Sequence, residues 1–564
     1  MDLVKFWRIP NNTRYLINTP ERCSFISSGQ EGFFHKNSMM NRKRFIKQLV
    51  LSTPAAIVAL DRGMLLGQPV RQGPDRVKVG FARCSLVPVI RSSVAFRRDL
   101  ESVCAVIKNH DTRVALVALD LIEMTPRANA LLQRRISELT GFPEECIVLH
   151  TTHTHASPWD AREENSMKDL GDEIAKTIIQ ADRSAIPARL KTGNADVGDA
   201  LSFQRIGYAG EELGTQSFWY GFQYRKGDHR ADASALVNEM KSRWLGREPG
   251  YRAGEAPVWF DREVDPMVQT MVFEDLEENV IGTIVRFSAH AGPADACKVR
   301  KYDPDYPAVT RDHLEEALGG TAMYLSGPLG NLAPRVNIDY EINRDVRLPE
   351  SYLGPTWALV AKEEKQALSE RDRIGKEIAL AAMGSLKGQN AEDIHALQFR
   401  AKMHRLPLDP NLPKSNEDIE LVRNMLIPEV DAFRRIGQHT RELRLLANRL
   451  NWLEWTGQFV DLISREDREA GFTRLPLSAL RMNDTFLAFM HSEPMAETSL
   501  ELRKAFPSLN LVPVCLTGGT TQYIPTAEIM DMGGYEGRAT VTCRTGEAEM
   551  RGDIARMIRE LLRG

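Results

Sequence analysis

Two histidines stand two positions apart in the segment Thr151–His155, which reads TTHTH. On an extended backbone, residues i and i+2 point to the same side, so His153 and His155 can address a single site. Neutral imidazole is both a zinc ligand and a general base near neutral pH. Histidines at strand ends are often only hydrogen-bonded structural residues, so the pair by itself leaves a metal site and a structural role open.

The pattern around this pair places it at the end of a buried strand. The apolar run Arg113–Leu119 predicts a strand covered on both faces, and Ile147–Leu149 predicts the next one. Between them, Pro126–Thr140 has the spacing of an amphipathic helix that ends at Gly141. Such a βαβ unit puts the TTHTH loop at the carboxyl end of a strand, where open α/β sheets bind ligands.

From about Val77 the chain predicts an α/β fold with a mixed sheet core, crossover helices and βαβ units. The Gly- and aromatic-rich stretch 208–257 is predicted to be a lid-like insertion, and 350–470 a helical insertion. Further strands are predicted at Met267–Phe273, Val280–Phe287, Ala322–Leu325, Leu475–Arg481 and Thr485–Met490, and helices at Tyr306–Leu318 and Glu547–Leu562.

Composition and charge restrict the class of function. The 564 residues are 43% hydrophobic and 26% charged, which is typical of a folded globular protein. A formal net charge of -3 without a long Lys/Arg run argues against a nucleic-acid surface, so a small molecule is the expected partner. The seven cysteines form no CxxC pair, which disfavours a zinc knuckle or a disulfide framework.

The N-terminal segment has the layout of an export signal. Basic residues between Arg42 and Lys47 precede an apolar stretch, Leu49–Leu60, that is too short to span a bilayer. Because Met39 and Met40 stand just before the basic cluster, residues 1–38 are predicted to be an over-extended N-terminus. Residues 39–65 are then predicted to direct the protein to the periplasm or the medium, and 75–564 are predicted to form the main domain. The alternative is a basic amphipathic helix of a cytoplasmic protein.

Six segments in preserved order resemble the N-terminal catalytic domain of the neutral, non-lysosomal ceramidase family. Thr152–Pro158 resembles the family's T-H-T-H-S-x-P motif, and Phe489–Pro494 resembles its P-G-E-P-type turn. The others are Arg113–Asp120, Phe287–His290, Asp305–Pro307, which resembles D-[FY]-P, and Gln522–Glu536, which resembles Y-[VI]-x-T…Y-E. The resemblance identifies the chain as a divergent, bacterial-type member and implies the family's fold.

Carried over residue by residue, the resemblance implies a zinc site and the side chains around it. The implied zinc ligands are His153, His290, Glu493 and Tyr523. His155 would shuttle the proton, and Arg205 with Tyr535 would stabilise the oxyanion; a surface ion-pairing role is the alternative for Arg205. Two imidazoles and a carboxylate suit a catalytic zinc, at which metal-activated water attacks a carbonyl.

One loop departs from the family pattern. The segment Gly330–Pro334 reads GNLAP where the family has G-D-V-S-P, whose serine acts at the scissile amide. Ala333 has no hydroxyl, which excludes a serine nucleophile at this position but leaves hydrolysis by metal-activated water. The expected function is therefore a zinc-dependent hydrolase of an amide or ester bond. A metal-assisted carbohydrate-processing lyase or isomerase and a non-catalytic binding homologue are the alternatives.

Overall fold

The computed structural model describes most of the chain beyond residue 75. The described residues are 76–90, 92–158, 164–208, 215–218, 262–342, 359–436 and 463–563, with short pieces between 230 and 259 and between 446 and 457. All of them belong to one unit, Gly63–Gly564. The predicted over-extended N-terminus (1–38), the predicted export segment (39–65) and most of the predicted lid-like insertion lie outside the described residues.

Strands and helices alternate along the described chain. The strands are β1 (Lys78–Ser85), β2 (Glu101–Lys108), β3 (Arg113–Leu119), β4 (Ile147–Thr151), β5 (Ile186–Pro187), β6 (Arg189–Asp196), β7 (Ser202–Gln204), β8 (Ile206–Tyr208), β9 (Thr215–Ser217), β10 (Arg230–Asp232), β11 (Pro257–Trp259), β12 (Met267–Glu274), β13 (Val280–Phe287), β14 (Thr321–Ser326), β15 (Leu332–Pro334), β16 (Tyr340–Ile342), β17 (Leu359–Ala361), β18 (Glu392–Asp393), β19 (Leu397–Pro407), β20 (Phe472–Met482), β21 (Thr485–Phe489), β22 (Glu493–Pro494), β23 (Asn510–Val514) and β24 (Tyr523–Ile524). The helices are α1 (Pro126–Thr140), α2 (Glu164–Arg183), α3 (Asp305–Leu318), α4 (Glu364–Ser385), α5 (Asn416–Ile436), α6 (Arg465–Ala470), α7 (Ala496–Ala505), α8 (Ala527–Met532) and α9 (Gly546–Arg563).

Three sheets share one apolar core. The first sheet has the strand order β4-β3-β2-β1-β5, the second β14-β13-β12-β6-β18, and the third β19-β20-β21-β23. Leu116, Ile284 and Leu487, one from each sheet, belong to the same buried cluster. Because side chains alternate across a strand, the neighbouring residues of these strands face outward and need a cover.

Helices supply that cover on the outer face of each sheet. Helices α1 and α2 pack on the first sheet, α3 and α4 on the second, and α7 and α9 on the third. In β3, Val114, Leu116 and Ala118 face the shared core, whereas Ala115 and Val117 face the helices. Both faces of β3 are therefore buried, as its unbroken apolar run predicts.

The βαβ unit predicted around the TTHTH loop is present. Strands β3 and β4 pair in parallel, and α1 connects them. Helix α1 ends at Gly141, which has φ 70° and donates its N–H to the Ser137 carbonyl. This left-handed residue is the helix end that the sequence predicts.

The range 350–470, predicted as a helical insertion, also contains strands. Besides α4 and α5 it holds β19, which pairs along its whole length with β20. The middle of β19, residues 400–403, is exposed and reads RAKM. This exposed section presents no continuous apolar face, so the hydrophobic pattern carries no strand signal there.

A buried ion-pair network fastens the second sheet to helix α7. Asp265 Oδ2 lies 2.6 Å from Arg286 Nη2 and accepts a 2.7 Å hydrogen bond from Ser499, and its other oxygen pairs with Arg503. Burial acts to raise the pKa of Asp265, but the two guanidinium groups outweigh it, so the pKa is lowered. The charged form of Asp265 is thus the stable one in the folded protein.

We predict that Asp265→Asn lowers the free energy of unfolding by about 3–5 kcal/mol at pH 7, because it leaves buried arginine charge uncompensated. Since the pKa of Asp265 is lower in the folded state, this stabilisation is present above its ordinary pKa of about 4 and is lost as pH falls below that value. Urea unfolding at pH 7 and pH 3 measures both effects.

The matched control is Asp312→Asn. Asp312 pairs with Arg98 at the surface, where both side chains are partly exposed. Its loss should cost less than about 1 kcal/mol. An effect of Asp265→Asn no larger than that of the control would contradict the predicted role of the network.

Candidate metal centre

Two buried histidines reach the same place from different sheets. His153 follows β4 and His290 follows β13. The Nδ1 atom of His153 lies 2.7 Å from the Ile122 carbonyl oxygen, and that of His290 lies 2.8 Å from the Leu332 carbonyl oxygen. A carbonyl only accepts, so each Nδ1 carries the donated proton, and the neutral ring has its lone pair on Nε2.

A carboxylate from the short strand β22 meets both imidazoles. Glu493 follows β21, and its Oε2 lies 3.4 Å from His153 Nε2 and 3.3 Å from His290 Nε2. Neither Glu493 Oε2 nor His153 Nε2 has a hydrogen-bond partner among the described residues, and both are buried. Acceptor atoms that face one another in a buried place need a cation or a proton between them.

The backbone at this place is held in an uncommon conformation. His153 itself has φ 63°, and the residues just before Glu493 and Tyr523 have φ 60° at Ser492 and φ 75° at Gln522. A non-glycine residue in the left-handed region costs of order 1–3 kcal/mol and persists where the surrounding structure fixes it. Such residues concentrate at functional sites, and here they are at or next to three of the predicted ligands.

His155 lies beside the same cluster. Its ring centroid is 4.9 Å from that of His153 and 5.5 Å from that of His290. The candidate ligand atoms of these three histidines all lie within 4.8 Å of one another. Burial, and then the neighbouring His153 and His290, lower the pKa of His155 well below its ordinary value. His155 is therefore neutral at neutral pH, and it can either bind a metal or accept a proton.

The charges of three predicted ligands, Glu493, His153 and His290, depend on one another. Burial acts to raise the pKa of Glu493, but His153 and His290 outweigh it, so the carboxylate is ionised. Burial acts to lower the pKa of His153, yet Glu493 raises it overall. Burial, and then the Arg205 cation, lower the pKa of His290 to about 3. An ionised carboxylate and a neutral His290 are forms that can bind a metal.

Arg205 is fully buried inside the site, so the alternative of a surface arginine is excluded. Its Nη2 donates to the Gly330 carbonyl and to the Tyr523 hydroxyl, each at 2.7 Å. Its Nη1 lies 3.3 Å from His290 Nε2, and its Nε lies 2.7 Å from Glu536 Oε1. The guanidinium thus contacts two of the predicted ligands, Tyr523 and His290.

Two tyrosines complete the predicted set. Tyr523 pairs with Glu493 in the short parallel ladder of β22 and β24, which sets the two side by side. The rings of Tyr523 and Tyr535 are 5.4 Å apart in a T-shaped arrangement. Burial raises the pKa of both phenols, so both are protonated at neutral pH. A Cβ at Gly330 would come within 2.7 Å of the Glu493 carbonyl oxygen, so only glycine fits there.

In the loop that departs from the ceramidase pattern, the contacts of residue 331 explain why it is asparagine and not aspartate. Its amide Nδ2 donates to Glu497 Oε2 at 2.7 Å, and its Oδ1 accepts a 2.9 Å hydrogen bond from the Ala496 N–H at the start of α7. Aspartate at this position would place a second carboxylate against Glu497. Ala333 is buried in β15, opposite Phe203 of β7.

The structure therefore brings the predicted site residues into one cluster, whereas their roles stay predictions. Glu536 is a member of the cluster to which the sequence assigned no role, although it follows Tyr535 in the Y-E motif. Ser217, which donates to Glu536 Oε1 at 2.5 Å, carried no sequence signal at all. The predicted set comprises His153, His155, Arg205, His290, Glu493, Tyr523 and Tyr535.

None of the helices in the described ranges is both long and apolar enough to span a bilayer. No family model matches the sequence, and no curated protein matches it significantly. Similarity is found among solved structures instead.

The neutral ceramidase from Pseudomonas aeruginosa aligns with 87% of this chain and 75% of its own, with a TM-score of 0.54 at 16% identity. A structure described as ceramidase complexed with C2 aligns with 86% of this chain and 76% of its own, with a TM-score of 0.53 at 16% identity. The predicted α/β class and the resemblance to neutral ceramidases are thus confirmed at the level of the fold.

Proposed function

We propose that this chain is a zinc-dependent hydrolase that cleaves a carbon–nitrogen amide bond or an ester bond. The observation that carries the proposal is the convergence of His153 Nε2, His290 Nε2 and Glu493 Oε2 at one buried point. The fold shared with neutral ceramidases supports hydrolysis as the reaction.

The residues present fit a catalytic zinc. Two imidazoles and a carboxylate are a donor set of catalytic zinc sites, which keep a position for water or substrate. The Nδ1–H groups of His153 and His290 donate to backbone carbonyls, which orients each Nε2 toward the proposed metal, as is typical of metal-binding histidines. Tyr523 is the proposed fourth ligand. Zinc held there would polarise a substrate carbonyl and make water acidic enough to ionise near neutral pH.

The surrounding side chains then transfer the proton and stabilise the negative charge that develops on the substrate. Neutral His155 accepts the proton of the attacking water and returns it to the leaving nitrogen or oxygen. The protonated Tyr535 phenol donates a hydrogen bond to the developing oxyanion, and the Arg205 charge stabilises it further. Because residue 333 is alanine, no acyl-enzyme forms at that position.

A small N-acyl compound or ester is the proposed substrate class. The name of the aligned structures, ceramidase, indicates an N-acyl lipid as the first candidate. The basic segment and the apolar stretch within residues 39–65 support an exported enzyme.

We predict that purified protein contains about one zinc ion per chain and that His153→Ala contains less than about a tenth of that. Removing this imidazole takes one nitrogen ligand from the proposed site and removes one of the two imidazoles that contact the Glu493 carboxylate. Elemental analysis after gel filtration measures the content. His110→Ala is the matched control, since its side chain is largely exposed and belongs to no candidate metal-binding group among the described residues. Absence of stoichiometric zinc in the wild type would reject the metal site.

We predict that His155→Gln lowers kcat on an N-acyl or ester substrate by about 10²–10⁴-fold while the zinc content is retained, as expected of a proton shuttle. Steady-state kinetics on a panel of amides and esters, with zinc analysis of the same sample, separates the two roles. Loss of zinc from this variant would instead make His155 a ligand. Zinc without turnover of any amide or ester would favour the carbohydrate-processing alternative, and absence of turnover on sugars as well would favour a binding homologue.

A further inference from the structure

Glu536 is a buried carboxylate that forms an ion pair with Arg205 inside the site. Its Oε1 lies 2.7 Å from Arg205 Nε and accepts the hydrogen bond of Ser217. Its Oε2 is buried and has no hydrogen-bond partner in the described ranges. A buried carboxylate needs a cation beside it, and the Arg205 guanidinium is that cation, so the two residues form a buried ion pair.

Arg205 and a metal ion compete for the same atom. The Nδ1 proton of His290 is donated to the Leu332 carbonyl, so Nε2 has the one lone pair that this imidazole can offer. That nitrogen lies 3.3 Å from Arg205 Nη1, which approaches as a donor. A metal at His290 therefore displaces this contact and stands close to a fully buried positive charge, and like charges repel strongly in the protein interior.

We propose that Glu536 is a positioning residue for the metal site, which rests on the proposed zinc-dependent function. Its carboxylate neutralises the Arg205 cation and holds the guanidinium at Nε, so that His290 Nε2 is available to the metal. The proposal explains why a second carboxylate is buried beside Arg205. Segment 215–218 lies against this pair, because Ser217 donates to Glu536 and the Phe218 N–H donates to the Arg205 carbonyl at 2.8 Å.

The test is the zinc affinity of the full chain, measured by competition between the metal-free protein and a chromogenic zinc chelator. Glu536→Gln keeps the size of the side chain and removes its charge, and we expect it to weaken zinc binding at least about 50-fold. Ser217→Ala is the matched control, because it removes a neutral partner from the same carboxylate oxygen, and it should change the affinity by less than about fivefold.

Glu536→Asp is the second variant, and it keeps the test decisive if Glu536→Gln fails to fold. It retains the charge near Arg205, so its zinc affinity should stay within about fivefold of the wild type. A loss of affinity in Glu536→Asp as large as the loss expected for Glu536→Gln would overturn the proposal, since packing and not charge would then be responsible. Circular dichroism verifies the fold of each variant.

The outcomes separate this inference from the proposed function. If the wild type and Glu536→Gln bind zinc equally well, the proposed role of Glu536 is overturned and the zinc site is retained. Wild-type protein that binds no zinc in the same competition would overturn both.

Discussion

The carbonyl oxygens of Ile122 and Leu332 fix the two imidazoles of the site, because each accepts the Nδ1 proton of one histidine. This leaves both Nε2 atoms turned toward the Glu493 carboxylate, an arrangement of acceptors that is unfavourable without a cation or proton between them. The chemistry proposed for the protein depends on this constraint, since a different tautomer at either ring would present a proton where a metal needs a lone pair.

The fold produces this constraint by joining three sheets at one edge of a shared core. Among the described strands each of the three sheets has one parallel pair, namely β3–β4, β13–β14 and β21–β23. The segments that follow β4, β13 and β21 carry His153, His290 and Glu493, so one of these side chains comes from the chain just beyond each sheet. The segments after β3 and β14 contribute the carbonyls of Ile122 and Leu332, at the carboxyl ends where α/β folds place their sites.

The sequence predicts the parts of this arrangement that depend on apolar periodicity. The hydrophobic pattern predicts the strand Arg113–Leu119, the helix ending at Gly141 and the strand before the TTHTH loop. Each of these elements buries a continuous or periodic set of side chains. Strand β19 is not predicted by the hydrophobic pattern, because its middle is exposed and presents no continuous apolar face. Grouping His290 and Glu493 with His153 required the resemblance to ceramidases, since no local pattern relates residues that far apart in the chain. The carbonyl partners of the histidines and the pairing of Arg205 with Glu536 depend on tertiary contacts, for which no residue type is a signal.

The central claim is that the point between the two imidazoles and the carboxylate is a zinc site. Anomalous X-ray diffraction from crystals of the purified protein, recorded on both sides of the zinc absorption edge, tests it most directly. The account predicts one strong anomalous peak within bonding distance of His153 Nε2, His290 Nε2 and a Glu493 carboxylate oxygen, at about 2.0–2.2 Å from each. Well-ordered side chains at these positions with no anomalous peak between them, or a peak bound elsewhere on the chain, would contradict it.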